Sequence, residues 1–320
     1  MIEHVIVMAA TPSRSMEVLT RHRPKSMLPI LGRPTIARVM DGYYNAGIRR
    51  FTVVVGERDG DAAAWLSMHW QSDAKLNFAP QGPQRGTAST LFATRTLIDG
   101  PFIIAPCDIL IPEEHVLHLA SYFETHPGDS AALSLFYAPD EVDQGASVML
   151  DPRQTVAYIS EKPSGAHQDF MTALPIYTFT PEVLSYLDRV PVVEDSGERA
   201  LAGAIQLMID EGHTVGAQET GWRIRLSDPE DLLTANILLM AKYDTPIVNG
   251  TLPQNVEMIP PVYIDEGVIV GSGSKLGPNV YLEKGSVIGA DVVLRETLVL
   301  GVRVGGGKTI EKEIIYRDRI

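Results

Sequence analysis

A single cysteine, Cys107, stands in 320 residues, so no intrachain disulfide can form and no cysteine-based zinc site is indicated. Positive charge is also in short supply: 27 Lys and Arg face 40 Asp and Glu, a net charge of −13. A chain this acidic repels phosphate backbones and anionic membrane surfaces, which argues against nucleic acid as a partner. Any nucleotide would have to be held by a few locally placed cations and backbone donors. No run of about 18 apolar residues occurs, so no membrane span is expected. The opening MIEHVIVMAA carries Glu3 and only a short apolar run; it reads as a first buried strand rather than a signal peptide. Histidine is missing beyond His213. What remains is 45% hydrophobic residues in a chain long enough for two domains, which describes a soluble cytoplasmic globular protein.

Short apolar runs at residues 4–10, 51–56 and 101–108 read as strands, with a weaker one at 76–79. Helical patterning runs from Thr35 to Ala46 and is closed by Gly47, and GPQRGTA (82–88) opens another helix. Strands alternating with helices at this spacing imply βαβ units in a mixed, mainly parallel sheet. Loops following the strands then gather on one edge, where ligands bind. Further strands are expected at 130–137, 147–150, 155–160 and 176–179, and helices at 182–187 and 200–211. Ser227 or Asp228, followed by Pro229 and two acids, marks the start of a helix through residue 243.

Beyond residue 243 the pattern changes. Met258, Ile264, Val270, Leu276, Leu282, Ile288, Leu294 and Leu300 recur at a spacing of six, with Val, Ser or Leu two residues before each. A six-residue period of this form builds a triangular β-helix, one aliphatic residue pointing inward from each side. The division expected is therefore an α/β domain over 1–243 and a left-handed β-helix with its tail over 244–320. Eight such positions amount to fewer than three coils, with an open end that invites a second subunit, so a homo-oligomer is expected. GGGK (305–308) has neither the spacing nor the strand–loop–helix setting of a phosphate loop.

MAATPSRSMEVLTRHRPKSMLPILGRP (8–34) resembles the opening of the sugar-1-phosphate nucleotidylyltransferases, the NDP-sugar pyrophosphorylases. GPQRGTA, PFIIAPCD (101–108), ISEKP (159–163), LPIYTFTPEVL (174–184) and DPEDLLTAN (228–236) continue the resemblance in order, and the hexapeptide tail is familiar there too. The resemblance implies a Rossmann-like nucleotide-diphospho-sugar transferase fold. It also implies a reaction, in which a nucleoside triphosphate and a sugar 1-phosphate give an NDP-sugar and pyrophosphate with Mg²⁺ as cofactor. Carried over residue by residue, it places Lys25 and Arg14 on phosphate. Ala10, Gln81, Gly86 and Thr87 fall around the nucleotide, Glu161 and Lys162 on the sugar and its phosphate, and Asp108 on the metal. Tyr177 and Cys107 read as core.

The chain departs from the family pattern at several places: Cys107 stands where a glycine is usual, Ala173, Leu174 and Pro175 stand where a small polar turn is usual, and two further departures touch the chemistry. Where the family has a glycine-rich triphosphate loop, this chain has Thr11, Pro12, Ser13, Arg14 and Ser15. Side chains restrict the loop, Pro12 has no amide to offer, and Arg14 falls one residue early. Arg225 stands where a second metal-binding aspartate is expected, a change of two charge units that repels a cation. Either Arg225 takes over part of the metal's charge against the phosphates, or the site is catalytically silent and the chain is a sugar-nucleotide-binding or regulatory homologue, alone or paired with an active paralogue. An acyltransferase, the other chemistry housed by hexapeptide β-helices, would need a histidine base that the repeat region lacks.

Overall fold

Apolar residues on both faces of successive strands build the first sheet. The computed structural model describes residues 1–9, 15–82, 86–137, 145–161, 171–192 and 197–317. Nine strands form this sheet: β1 (His4–Met8), β2 (Arg50–Val55), β3 (Lys75–Pro80), β4 (Phe102–Pro106), β5 (Ala131–Phe136), β6 (Ala146–Leu150), β7 (Val156–Ser160), β8 (Met171–Phe179) and β9 (Val215–Glu219). Their order is β7-β6-β8-β4-β1-β2-β3, with β5 pairing β8 and β9. β1 runs parallel to both β2 and β4, and β3 parallel to β2. β8 runs antiparallel to β4, β5 and β6. The mixed α/β architecture expected from the sequence is the one observed.

Because successive side chains of a strand point to opposite faces, Ile6, Val54, Ile104 and Phe179 join one apolar cluster, while Val5, Val7, Val53 and Ile103 join the other. The helix Thr35–Asn45 covers the second cluster with Ile36, Met40 and Tyr43. Leu201–Asp210 covers the first with Leu201, Ile205 and Met208.

The helix expected at 182–187 is instead a pair of 3-10 turns, Pro181–Ser185 and Leu187–Arg189. Tyr186 N–H bonds the Val183 carbonyl, and the Ser185 hydroxyl turns back to the Glu182 carbonyl. These local bonds tighten the turn and stop it from propagating.

The described chain divides into two units that interleave in sequence. Met1–Thr11 and Ile36–Arg223 form one; Pro12–Thr35 and Ile224–Ile320 form the other.

In the second unit the β-helix strands stack five deep on one face, four on the next and three on the third, about four turns in all. Fewer than three turns were expected. The strict period misses the first strand, Ile247–Val248, and the last, Ile314–Ile315, because the turns they close are shorter. Val262 pairs with Val280, 18 residues on, whereas Val280 pairs with Thr297 and Val287 with Arg303. The shortening moves the inward position by one, so Val299 rather than Leu300 joins the buried column with Leu294, Ile288 and Leu282. Ser274 and Ser286 occupy buried corners. Ser286 donates to the Val299 carbonyl at 3.0 Å and accepts from Gly301 N–H at 3.2 Å, stitching one turn to the next.

Candidate active site

The parallel strands deliver their carboxyl ends to one edge. Three backbone bonds carry this register past the last strand residues: Ala9 N–H to the Val54 carbonyl (2.9 Å), Gln81 N–H to Val55 (2.8 Å) and Cys107 N–H to Met8 (3.0 Å). Ala9, Gln81, Cys107 and Asp108 therefore lie along one rim, with neighbouring strands about 4.8 Å apart. From β1 the chain runs outward through β2 and β3 and then returns to lay β4 on the other side of β1, so the strand order reverses between β1 and β4. The ends of strands at such a switch are where open α/β sheets bind ligands.

Asp108 sits two residues beyond β4 and is 3% exposed. Its neighbour Cys107 is fully buried, and its thiol points at the Ala9 carbonyl, 3.6 Å away. This agrees with its reading as a small core residue. Gln81 follows β3 at the same rim and is half-buried.

Gly86 and Thr87 open the helix Thr87–Thr94, and both have structural partners. Gly86 adopts φ +104°, and a Cβ there would run into the backbone of Arg199. Ala88 N–H bonds the Arg199 carbonyl at 3.0 Å, and the Thr87 hydroxyl accepts from Leu201 N–H at 2.9 Å. The pair thus ties two helix starts together.

Glu161 is exposed just after β7. Tyr177 is buried in β8; burial first, and the Glu161 charge second, hold its hydroxyl well above the usual tyrosine range. Ala10, Arg14 and Lys162 lie outside the described residues.

Lys25 and Arg225 belong to the second unit. Lys25 starts the 3-10 turn Lys25–Met27 and is 8% exposed. Arg225 ends the short strand Ile224–Arg225, three residues before Asp228. Asp228 is the cap of the helix Pro229–Met240, accepting from Asp231 N–H, while the Asp231 carboxylate accepts from Asp228 N–H at 2.9 Å. Such a box is worth about 1 kcal/mol and fixes where the helix begins. The Ser15 hydroxyl donates to the Ser227 carbonyl just ahead of it.

Several contacts of the Lys25 segment were not legible in the sequence. The strands Pro29–Ile30 and Arg33–Pro34 form a hairpin whose turn residues Leu31 and Gly32 have φ +47° and +73°. Asn236, fully buried in the helix Pro229–Met240, accepts from Leu31 N–H at 3.0 Å and donates to the Pro29 carbonyl at 3.2 Å. Gly32 N–H donates to the Tyr281 hydroxyl at 3.2 Å, which donates to Asp265 at 2.7 Å. Burial raises the pKa of Asp265, with the Tyr281 hydroxyl and Lys284 N–H opposing the rise. Arg23 grips Glu283 with both guanidinium nitrogens, at 2.5 and 3.0 Å. An open cleft of about 590 Å³, lined by Gly32, Asn249, Tyr263, Asp265, Glu266 and Lys284, lies beside this turn.

Among the described residues no group of three or more His, Cys, Asp or Glu side chains could hold a metal ion, and no helix is long and apolar enough to cross a membrane.

The mixed sheet with its aspartate-bearing switch strand and the β-helix define a nucleotide-sugar-transferase-like α/β protein. The family model of the nucleotidyl transferases matches residues 5–236, and the chain belongs to that family. It is 25% identical over 264 residues to the bifunctional protein GlmU of Methanocaldococcus jannaschii, a match covering 82% of this chain and 60% of that protein. To the glucose-1-phosphate thymidylyltransferase of Streptomyces griseus it is 21% identical over 332 residues, covering 98% and 91%. The crystal structure of a UDP-glucose pyrophosphorylase with UDP-glucose superposes with a TM-score of 0.67 at 16% identity, over 76% of this chain and all of that one. The chain spans only about 60% of the length of its GlmU relatives.

Proposed function

We propose that the chain is a nucleotidylyltransferase that forms an NDP-sugar from a nucleoside triphosphate and a sugar 1-phosphate. The observation that carries this is Asp108: a carboxylate buried at the carboxyl end of the switch strand, in a chain whose residues 5–236 match the nucleotidyl transferase family. Burying a carboxylate costs free energy unless it has partners or a ligand to hold.

In the reaction a phosphate oxygen of the sugar 1-phosphate attacks the α-phosphorus. A new P–O bond forms, the bond between the α- and β-phosphates breaks, and pyrophosphate leaves with that electron pair. Catalysis of this step is positioning and charge. Gln81 would read the base, with Ala10 and the segment at Gly86 and Thr87 bounding the nucleotide. Glu161 and Lys162 would hold the sugar and its phosphate. Lys25, Arg14 and Arg225 would meet the triphosphate charge.

The residues present fit a Mg²⁺ ion of one kind only. With one buried carboxylate at the rim and no three-ligand cluster among the described residues, Asp108 would hold an ion that arrives on the triphosphate rather than in a protein cage. Such an ion supplies positive charge to the phosphates; the orientation of the sugar is left to Glu161 and Lys162.

The β-helix, proposed to begin beyond residue 243, would assemble the chain into a homo-oligomer. Ile259 and Ile269 support this, standing 48% and 61% exposed on its surface. A mass in solution equal to the 35.0 kDa chain would contradict it.

Pyrophosphate release across the common nucleoside triphosphates and hexose 1-phosphates tests the activity. Turnover with at least one pair is expected. Folded protein that binds an NDP-sugar yet turns over no pair would overturn the proposal and identify a silent homologue.

A further inference from the structure

Lys25 sits in a stretch of chain fastened to the β-helix on both sides. Two residues before it, Arg23 makes its two-pronged ion pair with Glu283, whose side chain is 16% exposed. Seven residues after it, Gly32 N–H reaches the Tyr281 hydroxyl. Both anchors land on one piece of the β-helix, the strand Val280–Leu282 and the residue that follows it. Tyr281 is fully buried and is itself held by Asp265, whose carboxylate also accepts from Lys284 N–H at 3.2 Å.

The chain between the anchors has little freedom. Pro24 fixes one dihedral, Lys25–Met27 is a hydrogen-bonded turn, and Leu28 and Ile30 are fully buried. Thr35 closes the segment, its N–H and hydroxyl both donating to the Leu28 carbonyl, at 2.9 and 2.7 Å. Asn236 holds Pro29 and Leu31 from the far side. A lysine that stabilises phosphate charge has to be aimed before substrate arrives, and an error of about 1 Å in such a group costs on the order of a hundredfold in rate.

We propose that Glu283 and Tyr281 are positioning residues for Lys25, so that the β-helix aims the phosphate lysine as well as serving assembly. Neither touches substrate; both act through the segment Arg23–Gly32. The proposal rests on the nucleotidylyltransferase reading and on the place of Lys25 in it.

The test is a cycle on the full chain, with kcat and KM measured for each substrate. Glu283→Gln should lower kcat about tenfold and leave both KM values within about twofold, because the geometry of a transition-state contact is lost and ground-state binding is kept. Lys25→Ala should lower kcat about a hundredfold, and adding Glu283→Gln to it should lower kcat no further, since the group being aimed is gone. The charge-exchanged pair Arg23→Glu with Glu283→Arg should recover most of the loss. Should Glu283→Gln unfold the chain, Tyr281→Phe removes one hydroxyl and carries the same expectations. A merely structural role would lower the melting temperature while leaving kcat of the folded fraction alone, or would add its effect to that of Lys25→Ala. Either result overturns the inference while the activity stands. Wild-type protein without turnover would instead sink the activity itself, and this inference with it.

Discussion

The backbone of Arg199 passes so close to Gly86 that a Cβ on the glycine would lie only 2.3 Å from the Arg199 carbonyl oxygen. That carbonyl also accepts from Ala88 N–H, so it has no reason to move. Gly86→Ala meets both the clash and the penalty for a side chain at φ +104°. A loss of about 3 kcal/mol in unfolding free energy is expected by denaturant titration. A loss below about 0.5 kcal/mol would show that the two helix starts are not tied here.

Asp108→Asn keeps the shape at the end of β4 and removes the charge. Turnover should fall about a hundredfold or more, with the melting temperature changed by only a few degrees. Wild-type turnover in this variant would take Asp108 out of the chemistry.

Two buried histidines set the response to acid. The His4 Nε2 lies 2.9 Å from the Thr52 hydroxyl, and that of His115 2.9 Å from Ser134. Burial is the main cause that lowers both from 6.5 to about 4. Between those values the unfolded chain binds protons that the folded chain refuses. Stability is therefore full above about pH 6.5 and falls as pH drops toward 4, by about 3 kcal/mol for each histidine. Denaturant midpoints measured from pH 7.5 to 4 check this; His4→Gln and His115→Gln should each flatten the curve. A wild-type midpoint that holds constant across this range would contradict it.

Much of the first sheet was legible because its strands are apolar on both faces and bounded by turn residues, as in HVIVM and FIIAP. The helix Glu113–Thr125 was not expected, although Val116, Leu119, Ala120 and Phe123 keep helical spacing behind Pro112 and two acids. His115 and Leu117 blur that stripe: the first is buried by its bond to Ser134, and the second is exposed. β9 was missed for a related reason. Its Gly216 weakens any strand reading, yet the Tyr122 hydroxyl lies where a side chain there would be. At the candidate site, residue types marked Asp108 and Lys25 once the flanking motifs were in register. The anchors Asn236, Tyr281 and Glu283 were hidden, because each is joined to the Lys25 segment across 200 residues or more, a pairing no local pattern carries.

The β-helix offers a stability test of the shifted register. Leu294 is fully buried in the inward column, and Val299 follows on the next face. Leu294→Ala should cost about 2–5 kcal/mol and Val299→Ala about 2 kcal/mol, while Ile269→Ser, on an exposed face, should change stability by less than about 0.5 kcal/mol. Val299→Ala matching Ile269→Ser would place the column elsewhere.

On one edge β8 lends residues 171–173 to β6 and residues 177–179 to β4, with its register to β5 broken between Ala173 and Tyr177. The ribbon of β6 and β7, which ends at Glu161, is thus hinged to the sheet through three residues, while the strands leading to Gln81 and Asp108 are joined through β1 and β2, independently of it. On the proposed assignment of Glu161 to the sugar and Gln81 to the base, that ribbon can be recut for a different sugar without disturbing the strand pairing that carries Gln81 and Asp108.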